Sequence, residues 1–196
     1  MEGTGKMRRF QITRWCHDRI GQMMPHPADC LDATAGTGRD TVFLLEISDP
    51  SGTVTAMDIQ QEAIDLTEKR ITQEMPDHKK RLRLIRDGHQ YMDRYFPPRS
   101  LDLILFNLGY LPGGDHKLAT RPDTTISGLN HALTLLRPGG LVSVLIYSGG
   151  DSGYEEKEAV LEWAGSLDPH EYLVILESFY NRPNDPPLPI YIIKQK

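Results

Sequence analysis

Apolar positions along the chain follow two spacings that take turns. Short runs rich in β-branched and apolar residues predict strands at about 28–34, 53–59, 81–86, 101–106 and 141–147. Between them, apolar residues recur at helical spacing over 41–47, 61–75, 124–136 and from the stretch after Gly153 through Ala164. Residues 7–24, with Phe10, Ile12, Trp15, Ile20 and Met23, predict a further helix packed over the start of the chain, stopped by Pro25 and Pro27. A short helix is expected over 89–95, ahead of the breaker Pro97-Pro98, and a turn at 137–140. Two last strands are expected at 171–180 and 189–194, antiparallel to each other. Strand and helix alternating without an internal repeat predicts an α/β fold, a doubly wound, mostly parallel sheet of seven strands with helices on both faces. Ligands of such sheets sit at the carboxyl ends of the strands. The polar and glycine-rich stretches fall at those ends: 32–40, Asp58, 87–89, 107–115 and 147–153.

Composition adds limits. At 196 residues the expectation is one domain over 1–196, with 1–27 as a helical extension. No apolar stretch approaches the length of a membrane span, and the first residues lack the apolar core of a signal peptide. A cytoplasmic protein without a membrane partner is expected. Cys16 and Cys30 have no C-x-x-C spacing, so neither a disulfide framework nor a metal site is predicted. A net charge of −5 argues against a broad nucleic-acid-coating surface. Two basic groups stand out nevertheless: Lys6, Arg8, Arg9, Arg14 and Arg19, then Lys79, Lys80, Arg81, Arg83 and Arg86. Each is either a solvated face or part of a seat for a small piece of RNA.

The stretch D-A-T-A-G-T-G-R-D at 32–40 reads as a strand, a tight turn and a helix start wrapped around a nucleotide-like ligand. A dinucleotide fingerprint needs a third glycine where this chain has Thr41, and a phosphate loop needs Gly-Lys-Ser/Thr. Asp40 at the helix start repels a pyrophosphate. Asp32 and Asp40 suit a cationic ligand instead, and S-adenosylmethionine (AdoMet) carries both a sulfonium and an ammonium group. AdoMet is therefore favoured over NAD. Asp32, Ala33, Thr34, Gly36, Thr37, Gly38 and Asp40 are the candidate loop contacts. Asp58 lies 22 residues after Gly36, where an acidic residue accepts from ribose hydroxyls, with Gln60 beside it. Asp87 is placed to meet an adenine amino group, with Gly88 and His89 adjacent.

Asn107-Leu108-Gly109-Tyr110 resembles the [DN]-P-P-[FY] motif of amino methyltransferases, with Leu-Gly for Pro-Pro. In that motif the Asn oxygen and the next carbonyl accept from the substrate NH₂ and aim its lone pair, while the aromatic residue packs on the substrate. Asn107, Tyr110 and Asp115 are the catalytic candidates, with His116 near them, and Asn107 is also a candidate cofactor contact. An aliphatic amine, like lysine with a pKa of about 10.4, is protonated at neutral pH and must first lose a proton. A carboxylate or a water near Asn107 and Asp115 can receive it.

Four blocks together resemble the YtqB-type class I methyltransferases, long labelled rRNA methylases and associated with the MnmM activity. They are D-A-T-A-G-T-G-R-D-T at 32–41, F-N-L-G-Y-L-P-G-G-D at 106–115, Y-S-G-G-D-S-G at 147–153 and N-R-P-N-D-P-P at 181–187. The resemblance implies a Rossmann-like class I methyltransferase that uses AdoMet. It implies methylation of the 5-aminomethyl group of a tRNA wobble (2-thio)uridine to 5-methylaminomethyl. The expected partner is the anticodon arm of a tRNA, with a homodimer left open and no metal. The chain departs from the family at Thr37 and Arg39, and lacks the family's His in the stretch 147–153. Alternatives are a methyltransferase for rRNA or a small amine, an AdoMet-binding module without turnover, and an NAD-binding Rossmann protein.

Overall fold

The computed structural model describes residues 10–109, 120–147, 153–182 and 186–196. Seven strands form one sheet: β1 (Asp29–Asp32), β2 (Thr53–Asp58), β3 (Leu82–Arg86), β4 (Leu101–Asn107), β5 (Leu136–Ile146), β6 (Tyr172–Leu176) and β7 (Leu188–Lys194). Their order is β3-β2-β1-β4-β5-β7-β6. Strands β1 to β5 pair in parallel, and β7 runs antiparallel to both β5 and β6. The helices are α1 (Ile12–Met23), α2 (Arg39–Ile47), α3 (Gln61–Glu74), α4 (Pro122–Leu135) and α5 (Gly153–Gly165). Two 3₁₀ segments, Pro76–Arg81 and His89–Arg94, flank β3.

Successive strand residues point to opposite faces, so the near-continuous apolar runs of β1, β4 and β5 feed two cores. One face buries Leu31, Ile104, Phe106 and Val144 with Leu129 and Leu133 of α4 and Val160 of α5. The other buries Cys30, Leu103, Leu105 and Leu145 with Cys16 and Ile20 of α1, Leu44 of α2 and Ile71 of α3. Both cysteines are buried and free.

Two long cations close helix ends. Arg81 donates to the carbonyls of Leu45 (2.7 Å) and Asp49 (2.6 Å) at the end of α2. The buried Lys194 Nζ donates to the carbonyls of Leu133 (2.7 Å) and Leu136 (3.1 Å) past α4. Positive charge is favoured where helix carbonyls lack partners. Arg81 is thus structural, Lys79 pairs with Glu68 at 3.0 Å, and Arg83 lies over Tyr95 and Phe96.

The expected turn at 137–140 lies inside a strand. The register passes from Leu101–Leu136 to Leu103–Leu141, so β5 bulges through Arg-Pro-Gly-Gly with Gly139 at φ 81°. Arg137 at the bulge reaches Asp102 (2.8 Å) and Asp29 (3.0 Å), tying together the starts of β1, β4 and β5. Strand β6 is also shorter than the stretch 171–180, ending at Leu176. Among the described residues no helix is long and apolar enough to cross a membrane.

The turn into β2 tolerates no side chain at Gly52, where a Cβ would stand 2.0 Å from the Ala28 carbonyl oxygen. Gly52→Ala is expected to cost about 1–3 kcal/mol of stability. Urea titration should show a lower midpoint at an unchanged slope, and an unmoved midpoint would contradict the packing.

Candidate active site at the strand carboxyl ends

Backbone pairing continues past the end of β1 and sets the glycine loop. The Ala33 N–H donates to the Leu105 carbonyl (2.9 Å) and the Ala35 N–H to that of Met57 (3.0 Å). Gly36 and Gly38 then take left-handed φ values of 52° and 78°, which glycine adopts without strain. Gly38 also sits against α3, where a Cβ would be 2.9 Å from the Thr67 Cα. Close packing of loop on helix, the task of a third glycine in dinucleotide folds, here falls to Gly38. From α3 the Arg70 guanidinium donates to the Thr37 carbonyl at 2.6 Å.

Three carboxylates gather at this loop. Asp32 is fully buried and accepts from the Thr41 hydroxyl (2.7 Å) and the Thr34 N–H (3.3 Å). Burial, with Asp40 and Asp58 adding repulsion, pushes its carboxyl well above the usual range. Asp58, at the end of β2, accepts from the N–H groups of Gly36 (3.0 Å) and Gln60 (2.9 Å), and burial raises its pKa as well. Asp40, in the first turn of α2, accepts from His17 Nε2 (2.6 Å) and from Asn107 Nδ2 (3.1 Å). A pocket in which two carboxylates disfavour the ionisation of a third favours a cation and opposes a pyrophosphate. Beside Asp58, Ile59 is 55% exposed, an apolar surface at the rim against which a base can lie.

Asp87, past β3, accepts from the Gly88 N–H and the Tyr95 hydroxyl, both at 2.8 Å. His89 follows, and its ring turns into the interior, edge-on to Phe106 at 5.7 Å and packed on Gly128 of α4. Its Nε2 has no hydrogen-bond partner, and burial depresses its pKa to about 4. It rests in the fold as a neutral ring.

Asn107 ends β4 beside the glycine loop. Its N–H donates to the Thr34 hydroxyl (2.7 Å). The next two N–H groups are also bonded, Leu108 to the Leu145 carbonyl (2.9 Å) and Gly109 to the Thr120 hydroxyl (3.0 Å). Thr120 N–H returns to the Gly109 carbonyl (3.1 Å). The buried Glu156 of α5 accepts from the hydroxyls of Thr120 (2.8 Å) and Thr125 (2.6 Å), anchoring the chain just after 110–119, where Thr120 is in turn bonded to Gly109 before that segment. Tyr110, Asp115 and His116 lie outside the described residues, as do 148–152, 183–185 and Lys6, Arg8 and Arg9 of the first basic group.

The sequence model of the family described as "Putative rRNA methylase" matches residues 54–193. The chain belongs to that family. Within the same fold, a "putative rRNA-methylase" from Clostridium thermocellum superposes with a TM-score of 0.88 at 41% identity, over 96% of this chain and all of that one. A "putative methyltransferase" from Streptococcus mutans, solved in complex with SAH, gives 0.82 at 33% identity over 95% and 99% of the two chains. A tRNA (mnm⁵s²U34)-methyltransferase, chloroplastic, of Arabidopsis thaliana is 35% identical over 195 residues, covering 96% of this chain and 71% of that protein. By family and fold this rRNA methylase relative is a class I methyltransferase.

The structure brings Asp32, Thr34, Gly36, Gly38, Asp40, Asp58 and Asn107 into one hydrogen-bonded rim. It adds residues that the sequence reading did not select: His17, Thr41, Arg70 and Glu156. Each acts through a contact that spans many residues of chain, from 9 between Asp32 and Thr41 to 36 between Thr120 and Glu156. Periodicity carries no signal for such contacts.

A histidine with a depressed folded pKa binds protons less well folded than unfolded. Its contribution to stability is whole above pH 6.5 and is lost as pH falls towards 4. The raised pKa of Asp32 acts in the opposite sense, so the difference between two proteins isolates His89. The stability of His89→Leu relative to wild type should rise by up to roughly 3 kcal/mol between pH 7 and pH 4. A pH-independent difference in urea titrations would show that His89 titrates normally.

Proposed function

We propose that the protein transfers a methyl group from AdoMet to the aminomethyl nitrogen on a tRNA wobble uridine. 5-Aminomethyl-2-thiouridine becomes 5-methylaminomethyl-2-thiouridine. The observation that carries the reading is Asn107, fixed by backbone and side chain at the end of β4 against an acidic loop. The 35% identity to the Arabidopsis tRNA enzyme supports the choice of acceptor.

The donor set fits AdoMet. Asp32 and Asp40 supply negative charge towards its cationic methionine end, Asp58 with Gln60 meets ribose hydroxyls, and Asp87 with Gly88 frames the adenine, whereas the His89 ring, expected beside them, is turned into the core against Phe106 and Gly128. Ala33, Thr34, Gly36, Thr37 and Gly38 give the backbone close approach. When bound, AdoMet supplies a methyl group on a positively charged sulfur. The chain's own work is to orient the acceptor. The Asn107 oxygen and the Leu108 carbonyl accept the two N–H bonds of the neutral amine and leave its lone pair directed at the methyl carbon. The motif resemblance assigns Tyr110 to the acceptor's face and Asp115 to the proton that the substrate ammonium must lose beforehand, both outside the described residues. The nitrogen gains a bond to the methyl carbon as that carbon's bond to sulfur breaks, the sulfur leaves as a neutral thioether, and the nitrogen sheds one further proton to solvent. Arg14, with Lys6, Arg8 and Arg9 of the same basic group, would supply positive charge for anticodon-arm phosphates, while Arg19 is held by Glu177 at 2.8 Å.

Purified protein with labelled AdoMet should methylate total tRNA from a strain that stops at the aminomethyl stage, and mass spectrometry should find one added methyl on that nucleoside. Asn107→Ala should lower kcat, measured at saturating AdoMet, by about 100-fold. Binding of AdoMet with no label in tRNA would remove the wobble-uridine assignment and direct the test to rRNA or small amines.

A further inference from the structure

His17 is the residue for which neither motif nor family description has a task. It lies on α1, outside the loops that carry the rim, and its ring stacks flat on Phe43 of α2 at 3.9 Å and 2°. That stacking fixes the imidazole plane and aims Nε2 at Asp40 Oδ1, 2.6 Å away. The other carboxylate oxygen, Oδ2, faces Asn107 Nδ2 at 3.1 Å. The three side chains form a line from helix α1 through α2 to the end of β4. Asp40 and His17 are only 14% and 24% exposed, so water competes poorly for these bonds.

An ionised carboxylate accepts and never donates. The Asn107 amide group beside it must therefore present its NH₂ to Asp40, which turns its oxygen the other way. The choice matters for chemistry on nitrogen. An oxygen facing the acceptor takes an N–H bond and leaves the lone pair free. An inverted amide would donate to that lone pair and occupy the electrons that must attack carbon. From this geometry we infer that His17 and Asp40 are positioning residues that lock the Asn107 amide with its oxygen towards the acceptor amine. The inference rests on the proposed role of Asn107 in holding that amine.

The arrangement makes a directional prediction that loss of fold or charge does not share. In Asp40→Asn the new side chain is itself oriented by His17, its oxygen accepting from Nε2 and its NH₂ facing position 107. Asn107 must then invert. The expected result is a kcat on aminomethyl tRNA, read at saturating AdoMet, lowered by about 100-fold, a loss separate from any weakening of AdoMet binding by the missing charge. Exchanging both groups, Asp40→Asn with Asn107→Asp, restores one donor facing one acceptor and leaves an oxygen towards the amine. The double variant should regain at least about tenfold in kcat over Asp40→Asn alone. His17→Ala should lower kcat by about tenfold, and His17→Gln, which keeps a donor, should recover most of it.

A second readout needs no substrate. The side-chain NH₂ of Asn107, assigned by ¹⁵N NMR on the full chain, should exchange slowly with water and shift in Asp40→Asn, while both variants keep the wild-type melting temperature within a few degrees. Wild-type tRNA methylation that fails while the amide responds to Asp40 would remove the proposed function and leave the lock in place. An amide indifferent to Asp40, or a double exchange no better than the single variant in an active enzyme, would overturn the inference.

Discussion

The rim depends on β1 and β4 lying side by side and parallel, with Cys30, Leu31 and Asp32 opposite Leu103, Ile104 and Leu105. Both strands are buried on both faces, so a slip by one residue would exchange the side chains packed in the two cores. That register delivers the glycine loop and Asn107 to the same height. It lets the Thr34 hydroxyl receive the Asn107 N–H and puts Asp40 within reach of the Asn107 side chain. The neighbouring strands then add their own ends: Asp58 from β2, Asp87 after β3, and the Leu145 carbonyl from β5. Apolar packing sets the distances in the site, and hydrogen bonding between side chain and backbone sets the orientations.

Electrostatics decides what such a rim can hold. Asp32, Asp40 and Asp58 are close enough for two of them to raise the pKa of the third, in a place where burial already opposes ionisation. This is unfavourable for the protein alone. It becomes favourable when a cation arrives, because each carboxylate then gains an opposite charge and loses part of the repulsion. The hydrogen bonds from Thr41, Thr34, Gly36 and Gln60 keep the carboxylates oriented meanwhile. A phosphate-bearing cofactor would meet this loop with the wrong sign, which is why the absence of a Gly-Lys-Thr ending and the presence of Asp40 point the same way.

Much of this was legible in the chain. Strand and helix periods placed the elements to within a few residues, because buried parallel strands and amphipathic helices write themselves as apolar spacing. The acidic strand ends, Asp32 and Asp58, were legible for the same reason: a polar residue terminating an apolar run marks the rim. The Arg-Pro-Gly-Gly stretch misled, since turn residues also serve in a bulge when the partner strand can hold both flanks, as Leu101 and Leu103 do. Lys194 and Arg81 look like surface cations in sequence, and only the fold shows that each closes a helix end. His17 had no readable signal, because a histidine beside two buried positions of an amphipathic helix is ordinary until Phe43 and Asp40 are brought against it.

The departure from the amino-methyltransferase motif has a physical reading in the same terms. Two prolines after the Asn would stiffen the chain through their rings and remove two N–H donors. Leu108 and Gly109 have neither property, and Gly109 takes a φ of 146° that proline could not adopt. The stiffness is supplied differently. Both extra N–H groups are bonded, one to Leu145 of β5 and one to the Thr120 hydroxyl, and Glu156 of α5 holds that hydroxyl in turn. Burial raises the pKa of Glu156, and the hydroxyls of Thr125 and Thr120 lower it again, so the anchor is itself held by the segment it holds. Covalent rigidity has been exchanged for a hydrogen-bonded clasp between β4, β5 and α5. The Leu108 carbonyl is kept in place by that clasp and the Asn107 amide by the line through Asp40, so the two oxygens proposed to accept from one amine are fixed by separate parts of the fold.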